Sequence, residues 1–342
     1  MRAAAAAGRP TPTRHADPQE AFPIRFPRHA LVALAALAVA LPAQAIDQLK
    51  VMIPAGPGGG FDQTGRNLGA AMQAAGSVKS IQYDNKGGAG GAIGLAQFIT
   101  TSKGDPNALF VTGMVTVGAT HLNKSPVTLA NLTPVARLTA ESEAIIVPAA
   151  SPIKNAKDLV AAMKANPGAV SFSGGSAGGT DHILAGLIAK ESGVDPGKVN
   201  YVPFTSGAEA VAAVLGGQVS AGISGYGEFA QHIKAGRVRA IAVSSGERVA
   251  GVDVPTLKEQ GVNVELVNWR GVFGAPGITA EQQKALLAAV EAGVKHEKWK
   301  ETLTKLDWTP YLLTGDAFKT FVETDSKRIA AILDSLNLGA KK

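Results

Sequence analysis

The feature that most constrains this chain is a recurring unit of β-rich run, glycine-rich turn and helical stretch, repeated from Ile46 onward. The β-rich runs are Leu49–Ile53, Ser80–Tyr83, Leu109–Thr112, Ala144–Val147, Val170–Ser173, Val199–Phe204, Val219–Ile223 and Val238–Val243. Between them lie helical patterns such as Asp62–Ala75, Lys157–Asn166, Thr180–Ser192, Glu209–Leu215 and Glu228–Ala235. Alternation of this kind builds parallel sheets covered by helices on both faces. Capping boxes at Ser206 with Glu209 and at Thr279 with Gln282 mark two helix starts. The C-terminal part reads as mostly helical, over Thr279–Lys305 and Asp316–Leu336. The spacing therefore predicts an α/β chain of doubly wound sheets.

At about 150 residues per domain, a chain of 342 residues has room for two. No Pro- or Ser-rich linker separates the halves, which fits a chain that crosses between two lobes more than once, leaving each lobe discontinuous. Ahead of the repeating pattern, Ala30–Leu41 is a short apolar run preceded by Arg25, Arg28 and His29 and followed by an Ala43-Gln44-Ala45 site. That arrangement predicts a secretory signal peptide over 1–45, cut after Ala45. The run is too short for a membrane span, which needs about 20 residues. No Arg-Arg pair precedes it, so the general secretory route is expected.

Removing this segment leaves 28 Lys+Arg against 25 Asp+Glu, a net charge of +3, too small and too dispersed for nucleic-acid binding. With no Cys in the chain, disulfides, thiolate metal sites, a cysteine nucleophile and a lipoprotein anchor are excluded. The expected location is the periplasm, as a soluble, unanchored protein.

Four glycine-rich loops each follow a β-rich run and open a helix: Pro54–Thr64, Asn85–Gly91, Ser173–His182 and Thr205–Gly207. A helix start presents unpaired N–H groups and the positive end of the peptide dipole, and glycine lets an anion approach that backbone closely. Any doubly wound sheet needs tight turns, so one such loop carries little information. Four in one chain point to a shared anion site. Asp62 reads as a cap or loop-shaping residue, because a carboxylate beside an anionic ligand is repelled unless it meets a ligand hydroxyl. Ser206 reads first as a cap.

Sharper motifs compete with this reading. Gly174-x-Ser176-x-Gly178 matches a nucleophile elbow and makes a secreted serine esterase of the α/β-hydrolase type the alternative. Only His182, His232 and His296 follow Ser176, and all three fall in helical patterns where a catalytic base is not expected. The stretch from Gly118 to Asn123-Lys124-Ser125 resembles a P-loop, but Asn replaces the required Gly and Pro126 blocks the helix. Neither of the first two loops satisfies G-x-G-x-x-G, and four scattered His beyond residue 45 form no metal pattern. No cofactor is called for. Trp269, Trp299 and Trp308 read as core.

The loops sit in longer stretches, among them AGPGGGFDQTGR (55–66), YDNKGGAGGAIGLAQF (83–98), SFSGGSAGGTDHILAGLIAKESGVDP (171–196), GGQVSAGISGYGEFAQHIKAG (216–236) and NWRGVFGAPG (268–277). In these the chain resembles the TctC or Bug family of extracytoplasmic receptors of tripartite tricarboxylate transporters. The SGGSAGGTDH and GGG-x-DQT segments resemble the tricarboxylate-receptor branch, with Phe61 where that branch leads one to expect Trp. The resemblance implies a two-lobed periplasmic-binding-protein fold of the Venus-flytrap, type II-like kind, without catalysis. One lobe would be 46–145 with 245–342, the other 146–244.

A carboxylate, a tricarboxylate such as citrate, would bind between them through backbone N–H groups, small hydroxyls and waters. The residues expected to hold it are Gly58, Gly59, Gly60, Asp62, Thr64 and Gly90 in the first lobe. In the second they are Ser176, Gly178, Gly179, Thr180, Thr205, Ser206 and Gly207. The implied partners are the small and large membrane subunits of the transporter, the receptor itself being a monomer.

Overall fold

The computed structural model describes residues 45–204 and 207–338. Residues 1–44 of the signal peptide read over 1–45, Thr205, and Ser206 with its capping box lie outside the described residues. Along the chain run β1 (Ile46–Ile53), α1 (Gly60–Ala74), β2 (Val78–Asn85), α2 (Ala92–Thr101), β3 (Ala108–Gly113), α3 (Met114–Leu122) and β4 (Thr133–Pro148). Then come α4 (Ala156–Ala165), β5 (Ser171–Gly174), α5 (Thr180–Glu191), β6 (Asn200–Pro203), α6 (Gly207–Leu215), β7 (Ala221–Gly225), α7 (Tyr226–Lys234) and β8 (Val238–Val243). The chain closes with β9 (Val267–Gly274), α8 (Ala280–Lys295), α9 (Glu297–Lys305), β10 (Thr309–Thr314) and α10 (Gly315–Leu336).

The strands form two α/β halves that share β4. In the first the order is β2-β1-β3-β9-β4, with β10 on the other side of β4; β1 pairs parallel with β2 and β3, and β9 runs antiparallel to β3 and β4. In the second, β8 and β7 flank β4 in antiparallel pairing, and β7, β5 and β6 follow in parallel. The change occurs within one strand: Ser142 of β4 pairs with Val267 of β9, and Glu143 pairs with Gly225 of β7. The chain returns to the first half through the segment between β8 and β9.

Around β1 the sheet of the first half is buried on both faces. Leu49, Val51 and Ile53 of β1 pack with Leu68 and Met72 of α1, Val290 of α8, and Trp299 and Trp308. Met52, on the opposite face, joins Leu95, Phe98 and Phe110. Two-sided burial explains why parallel strands read as short apolar runs rather than alternating ones. Helix α10 ties the halves together. Its Asp325 accepts from Trp269 Nε1 at 2.7 Å, its Asp334 meets His121 Nε2 at 2.8 Å, and Leu336 packs against Gly186 of α5 with no room for a Cβ there.

Three strands depart from the pattern read in the sequence. β4 is 16 residues long rather than Ala144–Val147, and β9 and β10 interrupt a C-terminal part read as helical or left unassigned. The reason is chemical. Arg137, Glu141 and Glu143 in β4 and Arg270 in β9 break the apolar runs, although all four are buried.

Candidate functional site

In an open α/β sheet the ligand crevice lies beyond the carboxyl ends of the strands, where the strand order reverses. Here β1 leads outward to β2 while β3 lies on its other side; in the second half β5 leads outward to β6 while β7 lies on its other side. The two reversal points open onto the same cleft of about 440 Å³, whose lining includes Pro54–Gly56 after β1, Val115 after β3, Gly175 and Ser176 after β5, and Ser224 and Gly225 at the end of β7. That size lies within the usual range for small-molecule sites, about 300–1,000 Å³.

The helix starts around this cleft share one property. α1, α2, α5 and α7 are entered through Gly59, Gly91, Gly179 and Gly225, none with a side chain hydrogen-bonded as a cap. By contrast α4, α8 and α9 are capped by Asn155, Thr279 and His296, and none of those residues lines the cleft. The predicted Thr279–Gln282 capping box is present. Uncapped starts leave N–H groups and positive dipole ends available to an anion. Both halves contribute them.

The predicted residues divide into three groups. Gly59, Gly60, Gly90 and Ser176 line the cleft. Gly90 has φ +61°, and a Cβ there would collide with Ala119 and lie 3.4 Å from Ser176 Cβ, so this position brings the two halves close only as glycine. Gly58, Asp62, Thr64, Gly178, Gly179 and Thr180 are not among the lining residues, and Gly207 opens α6.

Asp62 is the third residue of α1 rather than its cap: its Oδ2 accepts from Gly58 N–H at 2.9 Å, and its Oδ1 from Arg66 Nε at 2.8 Å and Asn85 Nδ2 at 2.9 Å. It shapes the first loop. Burial works to raise its pKa, but the Gly58 N–H, Asn85 and Arg66 outweigh burial and hold it below the usual value. Thr64 Oγ1 donates to Gly60 O at 2.7 Å, and Thr180 Oγ1 is buried without a partner. His182 Nδ1 accepts from Gly178 N–H at 3.1 Å and its ring stacks on Tyr201 with centroids 4.3 Å apart, which holds the third loop against its wall.

The residues that sequence reasoning missed form the floor. Arg270 of β9, 3% exposed, is ion-paired through Nη2 with Glu141 Oε2 of β4 at 2.5 Å. Glu143 lies two residues on, on the same face of β4, fully buried, with the Asp181 carboxyl as its hydrogen-bond partner. Asp181 and Glu228 reach the cleft lining beside Arg270 and Asn268. Burial, followed by the charges of Asp181 and Glu141, pushes Glu143 well above the usual carboxylate range. Burial also raises Asp181 to about 6, and burial with the neighbouring Glu141 charge raises Glu228 to about 7. Among the described residues, no group of three or more His, Cys, Asp or Glu side chains is arranged to hold a metal ion. The signal available in the sequence was the charged residues inside otherwise apolar strands, and NWR within the resembling stretch 268–277.

Two α/β halves sharing a strand, with one cleft at both reversal points, define the periplasmic-binding-protein fold. Two solved structures from Rhodopseudomonas palustris share it. Rpa4515, solved with adipate, has TM-score 0.77 and 21% identity, over 85% of this chain and 97% of that one. MatC (Rpa3494), with bound malate, has TM-score 0.73 and 23% identity, over 84% and 99%. Protein BugT of Bordetella pertussis is 25% identical over 291 residues, 83% of this chain and 88% of that protein. Residues 68–338 match the tripartite tricarboxylate transporter family receptor, TctC, and the chain belongs to that family.

Proposed function

We propose that this protein is a periplasmic receptor that captures a small carboxylate, a tricarboxylate such as citrate, between its two halves. It would release the ligand to the small and large membrane subunits of a tripartite transporter. The observation that carries the reading is the set of uncapped glycine helix starts from both halves around a single cleft. Hydrogen bonds from N–H groups to a carboxylate are roughly twice as strong as neutral ones, so several such donors hold an anion without an Arg for every carboxyl. The adipate and malate bound to structures of the same fold agree with a carboxylate ligand.

The lobes of this reading are 46–145 with 245–342, and 146–244, with β4 and the β8–β9 segment as the crossings. The ligand touches Gly58–Thr64 on one side, and Ser176–Thr180 with Thr205–Gly207 on the other. A ligand that touches both halves binds the closed arrangement better than the open one, and that difference in affinity drives closure. The cycle breaks no bond in the ligand, so the protein is a receptor and not an enzyme, exported by cleavage after Ala45 and working as a monomer. Among the described residues no helix is long and apolar enough to cross a membrane.

A thermal-shift and calorimetric series with citrate, malate and adipate tests the reading. A bound carboxylate raises the melting temperature in a concentration-dependent way. If none of the three shifts melting or releases heat, the carboxylate assignment is wrong; hydrolysis of ester substrates lost in Ser176→Ala would establish the esterase instead.

A further inference from the structure

Under the cleft stands a charged group that the carboxylate reading leaves unused. Glu141 and Glu143 come from β4, Asp181 from α5, Glu228 from α7 and Arg270 from β9. Arg270 is the cation facing these acids, and its Nη2 is already engaged by Glu141. Ser224 at the end of β7 donates to Glu228 Oε2 at 3.2 Å, and Gly175 N–H donates to Asp181 Oδ2 at 2.6 Å. Tyr201 of β6 donates its hydroxyl to Gly175 O at 2.8 Å, and the ring of His182, next to Asp181 on α5, stacks on it.

Glu143 is fully buried and hydrogen-bonded to the Asp181 carboxyl, a contact between two acids that requires a proton on one of them. An anion drawn in by the helix starts shares its cleft with Asp181 and Glu228, which line it together with Arg270. Ionised, those two groups repel it and have no proton to donate. Protonated, each presents an O–H donor.

We infer that Asp181 and Glu228 meet the ligand as neutral acids, donating O–H hydrogen bonds to one of its carboxylates, so that the receptor captures an organic anion together with a proton. The inference rests on the carboxylate reading of the cleft. The proton comes from solvent and resides on the Glu228 or Asp181 carboxyl, and no bond in the ligand forms or breaks. Burial already places these carboxyls at about 7 and about 6 in the free protein. An anion alongside stabilises the protonated form and raises both further. Between the free and bound values, binding takes up a proton, and affinity falls as pH rises by up to about tenfold per pH unit for each proton linked.

Calorimetry of the exported protein with malate, between pH 6.5 and 8.5 in paired buffers of different ionisation enthalpy, counts the protons directly. The expected result is net uptake near pH 8 and a Kd about tenfold weaker at pH 8.5 than at pH 7. Glu228→Gln and Asp181→Asn keep a donor without a titrating proton. Each should reduce the uptake and bring the Kd at pH 8.5 towards its value at pH 6.5. Melting curves identify a variant that fails to fold, and the wild-type proton count does not depend on the variants.

Malate binding with a Kd independent of pH and no proton exchange overturns the inference and leaves the carboxylate receptor standing. Proton release, with aspartate bound more tightly than malate at high pH, overturns it in favour of acids that meet an ammonium group. If malate, citrate and adipate all fail to bind at either end of the range, both readings fall.

Discussion

Arg270 and Glu141 illustrate how one buried pair sets the cost of change at this site. They are 3% and 2% exposed, the guanidinium also lies 5.1 Å from the Trp308 ring centroid, and any side chain at Gly60 would collide with it. Removing one partner leaves the other charge buried, which costs about 3–5 kcal/mol, whereas replacing both is often near neutral. Arg270→Met should therefore lower denaturant stability by about that amount, and adding Glu141→Gln should restore most of it. A double-variant loss equal to the sum of the two single losses would show that the pair carries no coupling.

The raised acids make a second prediction at this scale. Their folded-state pKa lies above the unfolded one, so between these values the folded protein binds more protons than the unfolded chain. Their stabilising contribution is thus present below about 4, the unfolded value, and is lost as pH rises through about 7 for Glu228. Glu228→Gln should be relatively more stable than wild type at pH 8 than at pH 5, as read by melting in matched buffers. Ser176, which lines the cleft, is the hydroxyl to remove. Ser176→Ala should weaken carboxylate binding by about 1.5–3 kcal/mol if that hydroxyl bonds the charged ligand, and calorimetry reads the change directly.

At the scale of the elements, the capped start of α8 and the uncapped start of α1 separate stability from function. Thr279 caps α8 in a full capping box, so Thr279→Ala should cost about 1 kcal/mol and leave ligand affinity unchanged. Gly59 enters α1 at φ −77° and ψ 170°, an extended conformation open to any residue, and a Cβ there would meet only Gly56 O at 3.8 Å. Gly59→Asp should accordingly cap α1 and hold or slightly raise the melting temperature, while its carboxylate displaces the ligand and weakens binding at least about tenfold. A rise in stability without a loss of affinity would remove α1 from the site.

Elements also differ in how readable they were. The runs at β1, β3, β7 and β8 are short and largely apolar, and they, with the more polar β2, β5 and β6 set among glycine-rich turns, were legible. Only Ala144–Val147 of β4 was read and β9 was not, because local pattern treats Arg137, Glu141, Glu143 and Arg270 as surface residues. Their burial depends on partners far away in the chain.

For the whole molecule, the shared strand β4 and the segment between β8 and β9 are the crossings between the halves, and the cleft lies where both halves present helix starts. The proposed closure predicts a smaller radius of gyration with saturating carboxylate than without, measurable by small-angle scattering. An unchanged radius together with full binding would mean that the cleft is preformed rather than closing. What the sequence by itself determined is the α/β class, the glycine loops at the strand ends, the capping box at Thr279, the buried Trp residues and the resemblance that the matched family bears out. These rest on short-range chemistry: hydrophobic period, turn residues and helix capping act over a few positions. Only the tertiary structure decided which loops share one cleft, and that Glu141, Glu143, Asp181, Glu228 and Arg270 converge beneath it. These groups come from β4, α5, α7 and β9, and their protonation depends on burial and mutual distance, which exist only once the chain has folded.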